Sequence, residues 1–141
     1  MRAAIPNMRV YSIHQPHSDH LEAVKHTMRQ IGPPVIRVVD CGPYWVAIEG
    51  THRLRAACDL GIVPQFVVHP ADEDIVVSRM DIFSMFPDGT HILSAREVAS
   101  ECLNWGGSCY QIREDGRLAC EEAWVTSLPD EAPEPVWGTY S

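Results

Sequence analysis

No stretch of this sequence approaches the roughly 18 consecutive apolar residues that a membrane-spanning helix needs. Its first residues also lack the basic start, apolar centre and small-residue cleavage site of a secretory leader. The expectation is a soluble, cytoplasmic protein with no membrane partner. The five cysteines, Cys41, Cys58, Cys102, Cys109 and Cys120, are odd in number and contain no Cys-x-x-Cys pair. That argues against a disulfide framework and against a cysteine zinc site, and most of them read as small buried apolar residues. Basic residues are scarce: 11 Lys and Arg against 19 Asp and Glu give a formal net charge of −8. They are scattered rather than gathered on one segment, so DNA is an unlikely partner. Internal repeats and low-complexity blocks are lacking too.

What is present suffices for one core. Across 141 residues, 45% are hydrophobic, which supports a single domain over residues 1–127 followed by a Pro-rich, acidic extended tail over 128–141. Trp137 and Tyr140 give that tail two groups able to dock back onto the body or onto a partner. Met8 to Ile13 reads as a first strand. A helix then opens near Ser18 or Asp19, with Leu21, Val24, Met28 and Ile31 on one face and Gly32-Pro33-Pro34 ending it. Val35 to Val39 and Tyr44 to Ile48, joined through Asp40-Cys41-Gly42-Pro43, predict a hairpin. A second helix follows, with Thr51 as its N-cap and Gly61 just past its end, and Val63 to Val68 is the next strand. This β-α-β-β-α-β order predicts a compact α+β fold with a mixed sheet.

Beyond Pro70 the pattern is mixed, and Ile75 to Phe86 suits either a strand pair or a helix. Ser94-Ala95-Arg96-Glu97 is a capping box. The helix it opens carries Val98, Ala99, Cys102 and Leu103 on one face and ends at Gly106-Gly107. Cys109 to Arg113 and Leu118 to Val125 then predict a C-terminal hairpin through Glu114-Asp115-Gly116.

The segment Glu49-Gly50-Thr51-His52-Arg53-Leu54-Arg55-Ala56-Ala57 carries the chemistry. A glycine after a strand permits a tight turn, and the first amides of the following helix have no intrahelical acceptors. With the helix dipole they form an anion site, to which Thr51, His52 and Arg53 add side-chain donors. Arginine suits phosphate because its planar fork holds two oxygens at once. Ordinary capping and a solvated arginine face remain the bland alternative for the same residues.

Gly50-Thr51-His52-Arg53-Leu54-Arg55-Ala56 resembles the G-E-R-R-x-R-A box of ParB partition proteins at Gly50, Arg53, Arg55 and Ala56. It is similar to the G-C-H-R motif of sulfiredoxins and the D-G-H-H-R motif of free serine kinases at Gly50, His52 and Arg53. The order of elements over residues 8–70 resembles that superfamily as well. The resemblance implies a ParB/sulfiredoxin-like mixed sheet, extended here by the C-terminal helix and hairpin. It also implies a nucleotide cofactor, ATP or CTP, with Mg²⁺. Gly50, Thr51, His52, Arg53 and Arg55 are then the cofactor-binding residues. Glu49, which stands where the serine kinases have an acid, is a metal ligand or catalytic base, and His52 and Asp19 are further catalytic candidates. The implied activity is hydrolysis of a nucleoside triphosphate or phosphoryl transfer to a small hydroxyl acceptor. The alternative is a nucleotide-sensing or DNA-associated accessory protein without turnover. Thr51 stands in place of the sulfiredoxin cysteine, so sulfinic-acid repair is not expected. No helix-turn-helix or second ParB box follows.

His14, His17 and His20 recur at three-residue spacing around Pro16. They read either as a polar loop or as transition-metal ligands. In the superfamily this segment borders the phosphate site, so His14, Asp19 or Glu22 could supply a base or metal ligand.

Overall fold

The computed structural model describes residues 7–13, 15–77, 92–103 and 106–125. His14, the part of the ambiguous Ile75 to Phe86 stretch beyond Val77, and the tail with Trp137 and Tyr140 lie outside these residues. The elements run β1 (Arg9–Tyr11), α1 (Ser18–Ile31), β2 (Val35–Asp40), β3 (Tyr44–Ala47), α2 (Thr51–Leu60) and β4 (Gln65–Pro70). They continue with β5 (Asp74–Val76), β6 (Ile92–Ser94), α3 (Ala95–Leu103), β7 (Gly107–Ile112) and β8 (Leu118–Val125).

Six strands form one mixed sheet in the order β4-β2-β3-β1-β7-β8, and β5 and β6 pair as a separate ribbon. The chain is an α+β fold, as its pattern predicts. Strand alternation explains how one sheet carries two cores. Val10, Ile36, Val38, Trp45, Ala47, Tyr110 and Ile112 bury on the face covered by α1 and α2, beside Met28, Leu54, Ala56 and Ala57. Tyr11, Val39, Tyr44, Val46 and Cys109 bury on the opposite face, beside Val98, Ala99, Cys102 and Leu103 of α3. Trp45 anchors the first core edge-on to Phe66, with ring centroids 5.2 Å apart. Aromatic side chains of this size supply much of a small core's burial energy.

The C-terminal hairpin has a larger part than its local sequence suggests. β7 pairs antiparallel with β1, Val10 opposite Tyr110, so it completes the main sheet. The capping box forms as predicted: the Ser94 amide donates to Glu97 Oε1 at 3.1 Å and the Glu97 amide to Ser94 Oγ at 3.2 Å.

A parallel pairing positions the turns that precede α1 and α2. β1 and β3 are adjacent and parallel, with Arg9, Val10 and Tyr11 opposite Tyr44, Trp45 and Val46. Each is followed within a few residues by a helix on the same face of the sheet. Two helix N-termini are therefore brought to the same end of the sheet.

Candidate functional site

Gly50 makes the second of these turns. It adopts φ +81° and ψ +33° and caps α2, so Thr51 is the first helical residue rather than the N-cap. The left-handed backbone there favours glycine, which can cap without a side chain. A Cβ on Gly50 would also lie 3.3 Å from Arg53 Nε. The bare glycine thus leaves room for the Arg53 guanidinium to fold back over the turn, where its Nη1 donates to the Val35 carbonyl at 2.8 Å. Among the described residues the Arg53 guanidinium makes no other hydrogen bond, and it carries five N–H donors.

The two helix starts are tied directly. The backbone N–H of His17, the cap of α1, donates to His52 Nε2 at 2.9 Å. Accepting there requires the neutral ring to carry its proton on Nδ1. His20 approaches the same ring edge-on at a centroid distance of 4.2 Å, and His17 stacks at 6.0 Å. Neither α1 nor α2 has a side-chain cap. The start of α3 is different: besides its capping box, the Ala95 amide donates to Glu73 O at 2.7 Å and the Arg96 amide to Ala71 O at 2.9 Å. The first amides of α3 are thus consumed within the chain, whereas α1 and α2 start side by side without side-chain caps.

Thr51 adds an independent observation. Its residue is 3% exposed and its hydroxyl has no hydrogen-bond partner among the described residues. A buried hydroxyl without a partner is destabilising by about 1–3 kcal/mol, and such groups in folded proteins call for a reason. An oxygen-rich anion at the start of α2 would supply one. Thr51→Val is accordingly expected to leave stability unchanged or raise it by about 1 kcal/mol, while lowering affinity for phosphate-bearing ligands. A urea melt beside a binding titration checks both parts.

Beside Arg53 and His20 opens a cavity of about 550 Å³, lined by α1 through Val24, Thr27 and Met28 and closed by Pro33-Pro34. Its walls are mainly apolar, and its size falls in the range of small-molecule pockets.

The other expected site residues are placed differently. Arg55 points away from the Gly50 turn: its Nε lies 3.2 Å from Asp59 Oδ1, and its Nη1 donates to Cys120 Sγ at 3.3 Å on β8. Asp59 also holds Lys25 of α1 at 2.9 Å, so Arg55 belongs to the network that fastens α1, α2 and β8. Asp19 is exposed in the first turn of α1, where its charge favours the helix start and competes with any other anion there. Glu22 pairs with Lys25 at 3.3 Å.

Glu49 is half-buried and its Oε1 accepts from Arg37 Nη1 at 2.9 Å. Arg37 Nε in turn donates to His69 Nε2 at 3.0 Å, and His69 Nδ1 meets Glu73 Oε2 at 2.6 Å. The chain of bonds fixes His69 with its proton on Nδ1. Sequence reasoning missed Arg37, His69 and Glu73. Only the parallel register of β2 and β4, which sets Arg37 opposite Val67 and Val39 opposite His69, brings them to Glu49.

Among the described residues, no group of three or more His, Cys, Asp or Glu is placed to hold a metal ion. Magnesium commonly needs only one or two carboxylates when phosphates supply the remaining oxygens. Glu49 fits that limited role through its second oxygen, Oε1 being held by Arg37. No described helix is long and apolar enough to cross a membrane.

No protein-family model matches the chain, and neither the curated proteins nor the solved structures yield a match.

Proposed function

We propose that the paired helix starts form the phosphate site of a nucleotide-dependent enzyme of the ParB/sulfiredoxin superfamily. It would hydrolyse a nucleoside triphosphate, ATP or CTP, or transfer its phosphoryl group to a small hydroxyl compound. The observation that carries the reading is the buried Thr51 hydroxyl, without a partner among the described residues, at a helix start that has no side-chain cap, with the Arg53 guanidinium folded over the same turn. Helix amides and an arginine fork are suited to phosphate oxygens. The adjoining cavity gives the rest of a nucleotide a place beside them.

In this reading Gly50 opens the turn, and Thr51, Arg53 and the α2 amides hold phosphate oxygens. His52 fixes the start of α1 against the start of α2. Charge neutralisation and positioning do most of the catalysis, since phosphoryl transfer asks little covalent chemistry of a protein. Bound Mg²⁺ would add charge neutralisation at the phosphates, with Glu49 as its protein oxygen donor. Glu49 would otherwise accept the proton of the attacking hydroxyl or water.

The Arg37–Glu49 ion pair favours a second reading, a nucleotide sensor that binds without turnover, because one carboxylate oxygen is already committed. A phosphate-release assay separates the two. The enzymatic reading predicts steady product release with Mg²⁺ and a nucleoside triphosphate, abolished in Glu49→Gln with binding retained. Stoichiometric binding with no release assigns the protein to the sensor reading. Release that persists in Glu49→Gln contradicts the role given to that residue.

A further inference from the structure

The five cysteines divide between the two faces of the sheet. Cys41, Cys102 and Cys109 are buried in the core beneath α3, and burial pushes the Cys102 thiol up to about 12 and the Cys109 thiol up to about 11. Cys58 and Cys120 lie in the other layer, both only partly buried and packed at the margin of the α1/α2 core. These two are neighbours. Cys58 Sγ donates to the Leu118 carbonyl at 3.5 Å, and the Cys120 backbone amide lies within hydrogen-bonding reach of that sulfur. The Cys120 sulfur accepts from Arg55 Nη1 at 3.3 Å. Arg55 is held in place from its other side by Asp59.

A guanidinium beside a partly buried sulfur, with a second thiol at hand, is an arrangement found at reactive rather than purely structural cysteines. We propose that Cys120 and Cys58 form a dithiol site that reacts with hydroperoxides, Cys120 as the attacking sulfur and Cys58 as the resolving one. The site stands apart from the phosphate site and does not depend on it. The Cys120 thiolate attacks the terminal oxygen of the hydroperoxide, which breaks the O–O bond. This leaves Cys120 as a sulfenic acid and releases the alcohol, or water from hydrogen peroxide, after one proton is taken up. The Cys58 sulfur then attacks the sulfenic sulfur. The S–S bond forms, and the hydroxyl leaves as water with the Cys58 proton. The peroxide is reduced by two electrons and the thiol pair is oxidised by two. Burial pushes the Cys58 thiol up, and the charges of Cys120 and Asp59 add to that. That direction suits Cys58 to the resolving rather than the attacking role.

The test is peptide mapping of the reduced full chain after limited hydrogen peroxide, without reductant. The expected product is one Cys58–Cys120 crosslink, with Cys41, Cys102 and Cys109 still alkylatable after unfolding. In Cys58→Ser, a close size match, the sulfenic acid at Cys120 should persist and be trapped by dimedone. In Cys120→Ser, Cys58 should stay reduced at the same dose. Arg55→Gln should slow alkylation of Cys120 by about tenfold at neutral pH; if that variant does not fold, Arg55→Lys should show a smaller slowing in the same direction. No crosslink at any dose, oxidation that starts at the three buried cysteines, or a Cys120 rate indifferent to Arg55 would each overturn the proposal.

Discussion

Arg53→Ala is expected to weaken nucleotide binding by at least about a hundredfold while the protein stays folded. The first part follows from the two or more charge-assisted hydrogen bonds that a guanidinium makes to phosphate, each contributing about 1.5–3 kcal/mol. The second follows from its surroundings. The Arg53 side chain is partly exposed and makes one hydrogen bond among the described residues, to the Val35 carbonyl, so its loss should cost about 1 kcal/mol of stability. Arg53→Lys should recover only a small part of the affinity, since an ammonium cannot present a planar fork. Titration calorimetry with the variant beside a urea melt reads both quantities. Unchanged affinity in a folded Arg53→Ala removes the guanidinium from the site.

The largest effect on stability is expected at Gly107. Its backbone is not left-handed, so no conformational strain forbids a side chain; the obstacle is space. A Cβ built there would sit 1.5 Å from the Ser12 carbonyl oxygen and 2.5 Å from its carbon, far inside any non-bonded contact. Neither backbone can retreat easily. The Ser12 amide donates to Ser108 O at 2.8 Å, and the Ser108 amide donates to Ser12 Oγ at 2.9 Å. These bonds tie β1 to β7, and the Ser108 hydroxyl holds Gln15 in the turn before α1 at 3.0 Å. Gly107→Ala should therefore cost more than about 4 kcal/mol, a large share of the roughly 5–15 kcal/mol available to a domain of ordinary stability. Gly42→Ala is the control: Gly42 has φ +96° with nothing within 4 Å, so only the conformational cost of about 1–2 kcal/mol applies. Chemical denaturation of the two variants should separate them clearly. Similar midpoints would contradict the close approach of β1 and β7.

Much of the fold is legible from local chemistry. The β-branched run Val35 to Val39, the apolar run Tyr44 to Ile48, the Asp40-to-Pro43 turn, the Gly32-Pro33-Pro34 stop and the Ser94-to-Glu97 capping box each depend on residues close in sequence. The structure reproduces them with end shifts of a residue or two; the fourth strand moves from Val63 to Val68 to Gln65–Pro70. What local pattern cannot carry is pairing between distant strands. Nothing in Cys109 to Arg113 announces β1 as its partner, because both neighbours in a sheet offer the same backbone groups. The site divides along the same line. Gly50, Thr51, His52 and Arg53 stand together because they are consecutive across one turn. Arg55 is only two residues beyond Arg53, yet the helical turn carries it to the Asp59 and Cys120 side of α2. His17, contributed by the other helix start, and Arg37, His69 and Glu73 reach the site or its border through tertiary packing, which spacing along the chain does not encode.

In the proposed function, two helix starts, brought together by the parallel pairing of β1 and β3, hold the phosphates of a nucleotide. A thermal shift series tests it most directly, with ATP, CTP, GTP, ADP and inorganic phosphate, each with and without Mg²⁺. A ligand at a hundred times its dissociation constant adds about 2.7 kcal/mol of stability, which at this chain length should raise the midpoint by roughly 5–15 °C. A rise of that order is expected for ATP or CTP, larger than for inorganic phosphate and absent in Arg53→Ala. A midpoint unmoved by every nucleotide, with or without Mg²⁺, would contradict it.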